Sequence, residues 1–143
     1  MAYAYDPNYT YRVLITRVVD GDTVDTEINL GFGTTLRGKD HSRFRLFGID
    51  TPETYGVKKD SEEYKAGKRA TEWLTERLAP YMSSNTPIWI HSYKSGKYGR
   101  YVGVLWLKQE DLGDIEKSVN AQLYREGLAT LYKNEPLPIV LGE

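Results

Sequence analysis

One dipeptide, Asp20-Gly21, constrains the N-terminal half of the chain more than any other feature. Residues 11–19 before it are rich in β-branched and aromatic side chains, and residues 23–30 after it show a second strand pattern. Asp-Gly is the two-residue sequence that most strongly favours a tight β-hairpin turn. The sequence therefore predicts two antiparallel strands joined at this point.

The rest of the chain contains three more strand patterns and two helix patterns. The strands are predicted at residues 43–49, 87–93 and 100–107, the long helix at residues 61–78, a short helix from the cap Ser118 to Glu126, and a loop at residues 32–42. Asp60 is expected to cap the long helix and Pro80 to limit its end. Five strands, with one helix after the third and a short helix after the fifth, predict an α+β domain that is mainly β and barrel-like.

Both ends of the chain are expected to lie outside the barrel. Residues 1–8 are polar and rich in tyrosine, which indicates a loosely held lead-in. Pro136 and Pro138 interrupt the apolar tail at residues 134–143, which predicts an extended segment packed on the domain. The sequence shows no internal repeat, and its length is typical of a single domain covering residues 1–143.

The composition excludes several kinds of site. The chain has no cysteine and only two histidines, so disulfides and Cys-ligated zinc are excluded and any metal is expected to be held by oxygen atoms. Hydrophobic residues make up 40% and charged residues 27%, as in globular rather than disordered or membrane proteins. The net charge of -1 means that a polyanion would have to bind a local cluster of cations. The first residues do not resemble a signal peptide, which leaves the localisation open, and we expect a monomer without membrane association.

A stiff corner, Asp50-Thr51-Pro52-Glu53, follows the third predicted strand. Proline lacks a backbone donor and restricts the residue before it to an extended conformation, so the two carboxylates are presented rigidly. Carboxylates held in this way suit a hard metal ion or acid–base chemistry. The alternative is an ordinary strand-to-turn connection, because Asp, Thr and Pro are common turn residues. Asp22 has the same alternative, since its carboxylate can serve the hairpin turn alone.

Three separated motifs together resemble the staphylococcal nuclease family: Val19-Asp20-Gly21-Asp22-Thr23, the stretch from Arg45 to Glu53, and Lys97-Tyr98-Gly99-Arg100. The resemblance runs from about Tyr11 to Leu131 and includes Asn120 and Gly127-Leu128-Ala129. It implies an OB-fold, a five-stranded barrel with helices, in agreement with the elements predicted above. It also implies Ca²⁺-dependent hydrolysis of phosphodiester bonds in DNA and RNA that leaves 3′-phosphate ends.

The resemblance assigns roles to the matching residues. It makes the carboxylates of Asp22 and Asp50 and the backbone carbonyl of Thr51 the calcium ligands, and such oxygen donors suit Ca²⁺. Glu53 matches the residue that orients or deprotonates the attacking water. Arg45 and Arg100 match the two guanidinium groups that bind the phosphate and offset charge in the transition state. Without the motifs, either arginine would be interpreted as a solvated charge.

The implied substrate contacts are Lys97 and Tyr98, which match positions that hold a terminal phosphate, and Lys59, which matches a mobile basic loop. The alternative is that the lysines are solvated charges and the tyrosine is an ordinary turn residue. The chain departs from the family pattern at Lys133, which occupies the position of the base-stacking tyrosine, with Tyr132 as its neighbour. The last long helix of the best-known member is not expected here, since Pro136 and Pro138 lie in that region.

Strand geometry adds one requirement. Arg45 and Asp50 are five residues apart, so a regular strand would direct their side chains to opposite faces. The strand is therefore expected to bend or bulge before Asp50, with Gly48 as the natural place.

Two other functions remain as alternatives. A non-catalytic OB-fold module could bind single-stranded nucleic acid through aromatic and cationic residues. An oligosaccharide- or peptide-binding barrel is the other, but it would not require these acids and arginines. The complete set of catalytic-type residues favours a nuclease, acting on DNA or RNA with a preference for single-stranded or unpaired regions.

Overall fold

A computed structural model describes residues 3–38, 40–95 and 101–141, with the side chains of Lys94 and Ser95 excepted. The strands in these ranges are β1 Thr10–Asp20, β2 Thr23–Gly31, β3 Thr34–Arg37, β4 Arg43–Leu46, β5 Ile49–Asp50, β6 Ile88–Ser95, β7 Tyr101–Trp106 and β8 Thr130–Leu131. The α-helices are α1 Glu62–Ser83 and α2 Val119–Arg125, and short 3-10 helices lie at Pro7–Tyr9, Gln109–Asp111 and Ile115–Lys117.

Five strands close into a barrel. The hydrogen-bonded order is β1-β6-β7-β4-β2, and β2 pairs again with β1, as the Asp-Gly turn predicts. β4 and β7 run parallel and the other pairs are antiparallel, so the barrel is mixed. With one helix after β5 and a short one after β7, the domain is an OB-fold of the α+β class. The predicted fold class is confirmed.

The hydrophobic core fills the barrel and the space between the barrel and α1. Leu46, Ile90 and Trp106 are fully buried inside it, and α1 contributes Leu74 and Leu78 from one face. Burying a side chain of this size contributes about 1.5–3 kcal/mol to stability. This packing fixes α1 against the barrel end that carries the acidic corner.

The third predicted strand is interrupted at the position that the geometry requires. Its first part is β4 and its last part is β5, and Gly48 between them has a φ of 79°. A side chain at Gly48 would also collide with the backbone of Leu137, since a Cβ there would lie 2.5 Å from the Leu137 nitrogen. The predicted bend at Gly48 is therefore confirmed, and the C-terminal tail packs directly on it.

The predicted loop at residues 32–42 was partly wrong, because it contains β3. Gly31, Phe32 and Gly33 all have positive φ angles and form a tight turn, after which the chain runs antiparallel to β2. Thr34 to Arg37 then pair with β2 as a sixth strand outside the closed barrel. The glycines and polar residues that suggested a loop serve a second hairpin instead.

The predicted bounds of the long helix also need correction. The cap is Ser61 rather than Asp60, because the Ser61 side chain accepts a hydrogen bond from the backbone N–H of Tyr64. The helix continues through Pro80 to Ser83, and the Ser84 hydroxyl donates to the Pro80 carbonyl at 2.7 Å. Proline removes one donor, but its fixed φ is compatible with a last helical turn. No helix in the described ranges has both the length and the apolar character needed to cross a membrane.

The lead-in is held more firmly than the sequence suggests. The ring of Tyr3 stacks on Phe47 with centroids 5.3 Å apart, and its hydroxyl lies 2.6 Å from Nδ1 of His91. The backbone N–H of Asp6 donates to Nε2 of the same histidine at 3.1 Å. A buried histidine thus ties the chain start to the barrel, which polar composition alone did not indicate.

The short helix and the tail complete the domain. Ser118 caps α2 by accepting from the Ala121 N–H, as predicted, and Gly127 follows the helix with a φ of 76°. Beyond β8 the described tail is extended, with Leu137 and Ile139 buried. It therefore covers the barrel on the side where Gly48 bends the chain.

Candidate functional site

Asp22 lies at the end of the β1–β2 hairpin, where the turn brings it beneath the acidic corner. Its side chain is only 11% exposed. Oδ1 accepts from the Thr23 hydroxyl at 3.1 Å and Oδ2 from the backbone N–H of Thr51 at 3.2 Å. Each oxygen keeps a second lone pair, so Asp22 can accept these bonds and still offer donor atoms to a cation.

Negative charge accumulates around Asp22. Burial, together with a hydrogen bond and charge repulsion from Asp20, raises the pKa of Asp22 to about 6, although Arg45 and the Thr51 N–H oppose the rise. A nearby positive charge would stabilise the ionised form of this buried carboxylate. The site therefore suits either a bound cation or a protonated Asp22.

Arg45 provides positive charge in the same region. Thr23 and Arg45 are direct cross-strand partners in the β2–β4 ladder, which explains why the arginine reaches the Asp22 side of the barrel end. Its Nη2 donates to the Ile49 carbonyl at 3.0 Å and lies 3.4 Å from Asp50 Oδ1 and 4.0 Å from Asp22 Oδ2. The structure thus brings together Asp22 from one predicted motif with Arg45 and Asp50 from another.

The corner residues differ in exposure. The side chain of Asp50 is 51% exposed, whereas Thr51 is buried and its N–H is used by Asp22. Asp22 therefore presents its oxygen atoms from a buried position, and Asp50 presents its oxygen atoms from the protein surface. Oxygen donors from two segments suit a hard cation with irregular geometry. In the described ranges no group of three or more His, Cys, Asp or Glu is arranged to hold a metal, so water and a backbone carbonyl would have to complete such a site.

Glu53 is exposed at the far side of the corner. Partial burial and repulsion from Asp22, Asp50 and Glu63 raise its pKa, while Arg45 lowers it. Its backbone N–H donates to Glu63 Oε2 at 3.3 Å, so the first turn of α1 holds the corner in place. A more basic carboxylate at a rim is chemically suited to accept a proton from water.

Gly67 permits the corner to approach the helix. A Cβ at this position would lie 2.5 Å from the Pro52 carbonyl oxygen and 2.6 Å from Thr54 Cγ2. The glycine that weakens the helix pattern in the sequence is therefore required by close packing. Next to this contact, a cleft of about 340 Å³ opens beside the acids. It is lined by Asp50, Thr51, Pro52, Glu53, Glu63 and residues 127–130.

Several predicted site residues are not placed at this cluster. Lys59 is exposed on the loop before α1, and within the described ranges it forms no hydrogen bond or ion pair with the acids. Lys97, Tyr98 and Arg100 lie outside the described residues. Their assignments therefore stay predictions.

The structure adds residues that the sequence did not assign to the site. Tyr132 places its ring 4.5 Å from the Arg45 guanidinium carbon, and Asp20 and Glu63 act on Asp22 and Glu53 as described. Asn120 is fully buried and links the Phe47 carbonyl to the Leu105 N–H, which fixes α2 against β7. The Asp-Gly-Asp motif could have indicated Asp20 from the sequence. The contacts of Glu63 and Tyr132 could not be predicted in this way, because they form only when separate segments of the chain pack together.

A closed OB barrel with buried and rim carboxylates beside an arginine defines a small domain built for anionic substrates or cation-assisted chemistry. The comparison with known families makes this specific. Residues 43–138 match the model of the staphylococcal nuclease homologues, which covers more than half of the chain. The chain belongs to the staphylococcal nuclease family.

Individual relatives carry nuclease names. The chain is 29% identical over 125 residues to "Endonuclease YhcR" of Bacillus subtilis (strain 168), covering 85% of this chain and 9% of that protein. It is 32% identical over 116 residues to "Thermonuclease" of Staphylococcus intermedius, covering 81% and 56%. "Probable endonuclease LCL3" of Paracoccidioides lutzii is 29% identical over 89 residues, covering 62% and 24%. The chain thus spans little more than half, or much less, of the length of these relatives.

Proposed function

We propose that this domain is a Ca²⁺-dependent nuclease that hydrolyses phosphodiester bonds in DNA, RNA or both and leaves 3′-phosphate ends. The observation that carries the proposal is the convergence of Asp22 and Asp50 on Arg45, whose Nη2 lies 4.0 Å from Asp22 Oδ2 and 3.4 Å from Asp50 Oδ1. Family membership supports the reaction class. The names of the relatives support nucleic acid as the substrate.

The carboxylates of Asp22 and Asp50 and the carbonyl of Thr51 would hold the cation. Two observations support the fit of these residues to a cation. Asp22 is buried beside another carboxylate, that of Asp20, and the carboxylate of Asp50 is half exposed. When bound, Ca²⁺ supplies Lewis-acid stabilisation of a phosphate oxygen. Its tolerance for irregular oxygen coordination distinguishes it from Mg²⁺, which demands a near-octahedral site.

The protein side chains supply the remaining chemistry. Glu53 orients the attacking water or accepts its proton as the water oxygen bonds to phosphorus and the P–O5′ bond breaks, and the departing O5′ takes a proton from solvent water to become a 5′-hydroxyl. Arg45 donates to phosphate oxygens and offsets the charge that develops in the five-coordinate transition state, and Arg100 is proposed as its counterpart. Arginine suits this role because its planar fork binds two oxygens at once and stays charged.

Substrate binding is proposed to use local cations, since the chain as a whole carries a net charge of -1. Lys59, Lys97 and Tyr98 are the proposed contacts beyond the reacting phosphate. Unpaired strands are the proposed preference, because OB-fold domains commonly bind single strands along a groove of cationic and aromatic side chains. We propose that the domain acts as a monomer.

The test is cleavage of plasmid DNA, a single-stranded DNA oligonucleotide and an RNA oligonucleotide with Ca²⁺, with Mg²⁺ and with EGTA. We expect cleavage with Ca²⁺, 3′-phosphate ends on the products, and little turnover with Mg²⁺ or EGTA. Equal rates with the two metals would contradict the proposed calcium site. Binding of the oligonucleotides without cleavage under any condition would favour the non-catalytic binding module instead.

A further inference from the structure

The ring of Tyr132 and the guanidinium of Arg45 form a pair beside the acidic cluster. The guanidinium carbon lies 4.5 Å from the ring centroid, within the range of a cation–π contact. Both side chains are partly buried, and that of Arg45 is 19% exposed. Limited exposure strengthens such a contact, because less water competes for the cation.

The contacts of Arg45 leave part of the guanidinium available. In the described part of the chain, Arg45 makes its hydrogen bonds and ion pairs through Nη2, to the carbonyl of Ile49 and the carboxylates of Asp22 and Asp50. Nη1 and Nε are not used by these bonds. A planar fork whose face is covered and whose one corner is anchored can turn its other edge to an incoming phosphate.

The position of Tyr132 is set by the same backbone that anchors Arg45. Its N–H donates to the Gly48 carbonyl at 2.8 Å, and the strand before it, β8, pairs Leu131 with Ile49. Ile49 provides the carbonyl that binds Arg45. The ring and the anchor for the guanidinium therefore belong to one hydrogen-bonded unit.

We propose that Tyr132 is a positioning residue for the reaction, which fixes the plane of Arg45 so that its unused edge faces the scissile phosphate. The inference rests on the proposed nuclease function and adds a residue to it. Arginine has many rotamers, and two acids within 4.0 Å could otherwise draw the side chain away from substrate. The ring limits that freedom before substrate arrives, which is a form of preorganisation.

The first experiment compares Tyr132→Phe and Tyr132→Leu in steady-state and single-turnover cleavage. Phe keeps the aromatic face and should retain more than about half of kcat, whereas Leu should lower kcat about tenfold with little change in KM, the size expected for a cation–π contact. Tyr124→Leu is the matched control, because Tyr124 lies 5.7 Å from the Arg125 guanidinium on α2. That control should leave kcat unchanged. A raised KM with unchanged kcat in Tyr132→Leu would instead indicate a base-stacking role and overturn the inference.

A second experiment preserves the shape of the ring. Phenylalanine carrying one, two or three fluorine atoms at position 132 weakens the negative face of the ring without changing its packing greatly. We expect kcat to fall stepwise with fluorination and the urea midpoint to stay nearly constant. A kcat that does not respond to fluorination would overturn the inference even if Tyr132→Leu failed to fold.

The double variant separates this inference from the proposed function. In an Arg45→Lys background, Tyr132→Leu should change kcat less than about twofold, since the fork it orients is gone. Full activity of Arg45→Lys alone would contradict the proposed role of the arginine. Loss of activity in Arg45→Lys with a fully active Tyr132→Leu enzyme would contradict only the positioning role.

Discussion

The backbone N–H of Thr51 donates a hydrogen bond to Oδ2 of Asp22 at 3.2 Å, across 29 positions of the sequence. The bond joins the hairpin turn to the acidic corner inside the protein, where it is shielded from water. A hydrogen bond to a charged acceptor contributes about 1.5–3 kcal/mol. Asp22 therefore has a structural partner as well as its proposed role as a ligand, and its substitution must be tested with readouts for both.

Arg45→Lys is expected to keep the charge but lose most activity. Lysine supplies a point charge where two parallel hydrogen bonds to phosphate are needed. The loss of one transition-state contact corresponds to about 10²–10³ in kcat. Steady-state cleavage with Ca²⁺ measures it, and Arg37→Lys serves as control because Arg37 lies on the exposed strand β3 with its side chain 68% exposed. A drop of less than tenfold would count against the role of Arg45.

Glu53→Gln distinguishes a general base from a residue that only positions water. Glutamine keeps the shape and can hold the water but cannot take its proton, so a general base predicts a fall of roughly 10²–10⁴ in kcat with little change in KM. The acid limb of the kcat profile against pH should also disappear. Glu62→Gln, at the exposed first residue of α1, is the matched control. An enzyme that retains more than a tenth of kcat would show that positioning suffices.

Asp22→Asn is expected to inactivate the enzyme and to stabilise the metal-free fold at neutral pH. The folded pKa of Asp22 is raised from 3.8 to about 6, so the folded state holds the proton more tightly than the unfolded state. Wild-type stability should therefore fall as the pH rises from about 4 to about 6, and Asn should remove that fall. The gain at pH 7.5 is roughly 1–3 kcal/mol. Urea unfolding in EGTA measures it.

Asp50→Asn is the comparison for this stability effect, because its side chain is 51% exposed. It should change the urea midpoint less than Asp22→Asn does. Equal stability of wild-type and Asp22→Asn protein across this pH range would show that the burial of the Asp22 charge is offset by its neighbours.

His91 provides a pH dependence of opposite sign. The Asp6 N–H donates to Nε2, so Nε2 must carry a lone pair, and the proton of the neutral ring lies on Nδ1, facing the Tyr3 hydroxyl. Burial lowers the pKa of His91 below 6.5, although Asp6 opposes this. Below pH 6.5 the unfolded state therefore takes up the proton first, and stability is lost as the pH falls further.

The variant His91→Gln should weaken this acid-side loss of stability, measured by urea unfolding between pH 7.5 and 5. His41→Gln, at an exposed position, is the control and should follow the wild-type curve. If the stability of the wild-type and His91→Gln proteins falls equally as the pH is lowered, protonation of His91 is not the cause of the acid-side loss.

Gly67→Ala should damage the site although alanine favours helices. The added Cβ would lie 2.5 Å from the Pro52 carbonyl, so either α1 or the corner must move. We expect a weaker apparent affinity for Ca²⁺ and a reduced kcat, measured by calcium titration of activity. Glu72→Ala on the exposed side of α1 is the control. Unchanged calcium dependence in Gly67→Ala would show that the corner tolerates the displacement.

Local signals in the sequence predicted much of the fold. The Asp-Gly turn, the cap at Ser118 and the bend at Gly48 each depend on the chemistry of a few neighbouring residues. The strand β3 was missed because its turn needs three consecutive positive φ angles, one of them at Phe32, which a sequence pattern does not reveal. The pairing of β5 with β8 was missed because two-residue strands have no periodicity to detect.

The candidate site was also predicted only in part from the sequence. Asp22, Arg45, Asp50 and Glu53 belong to short motifs, so their residue types and spacing were visible. The bond from Glu53 to Glu63 and the stacking of Arg45 on Tyr132 are tertiary contacts whose partners come from α1 and from the chain after β8. These two contacts form only because the corner packs closely against α1 and the C-terminal tail. Gly67 and Gly48 permit this packing because neither has a side chain.

The two-residue ladder between β5 and β8 has a consequence for the timing of assembly. The Thr130 hydroxyl and the Asp50 carbonyl that it binds are 80 positions apart. Translation at roughly 5–20 residues per second takes about 4–16 s to cover that distance. The hairpin and α1 can form while the ribosome is still working, but Arg45 and Asp50 receive their final support only when β8 has emerged. A nascent chain would thus pass through a stage in which it is largely folded while the proposed site is still incomplete.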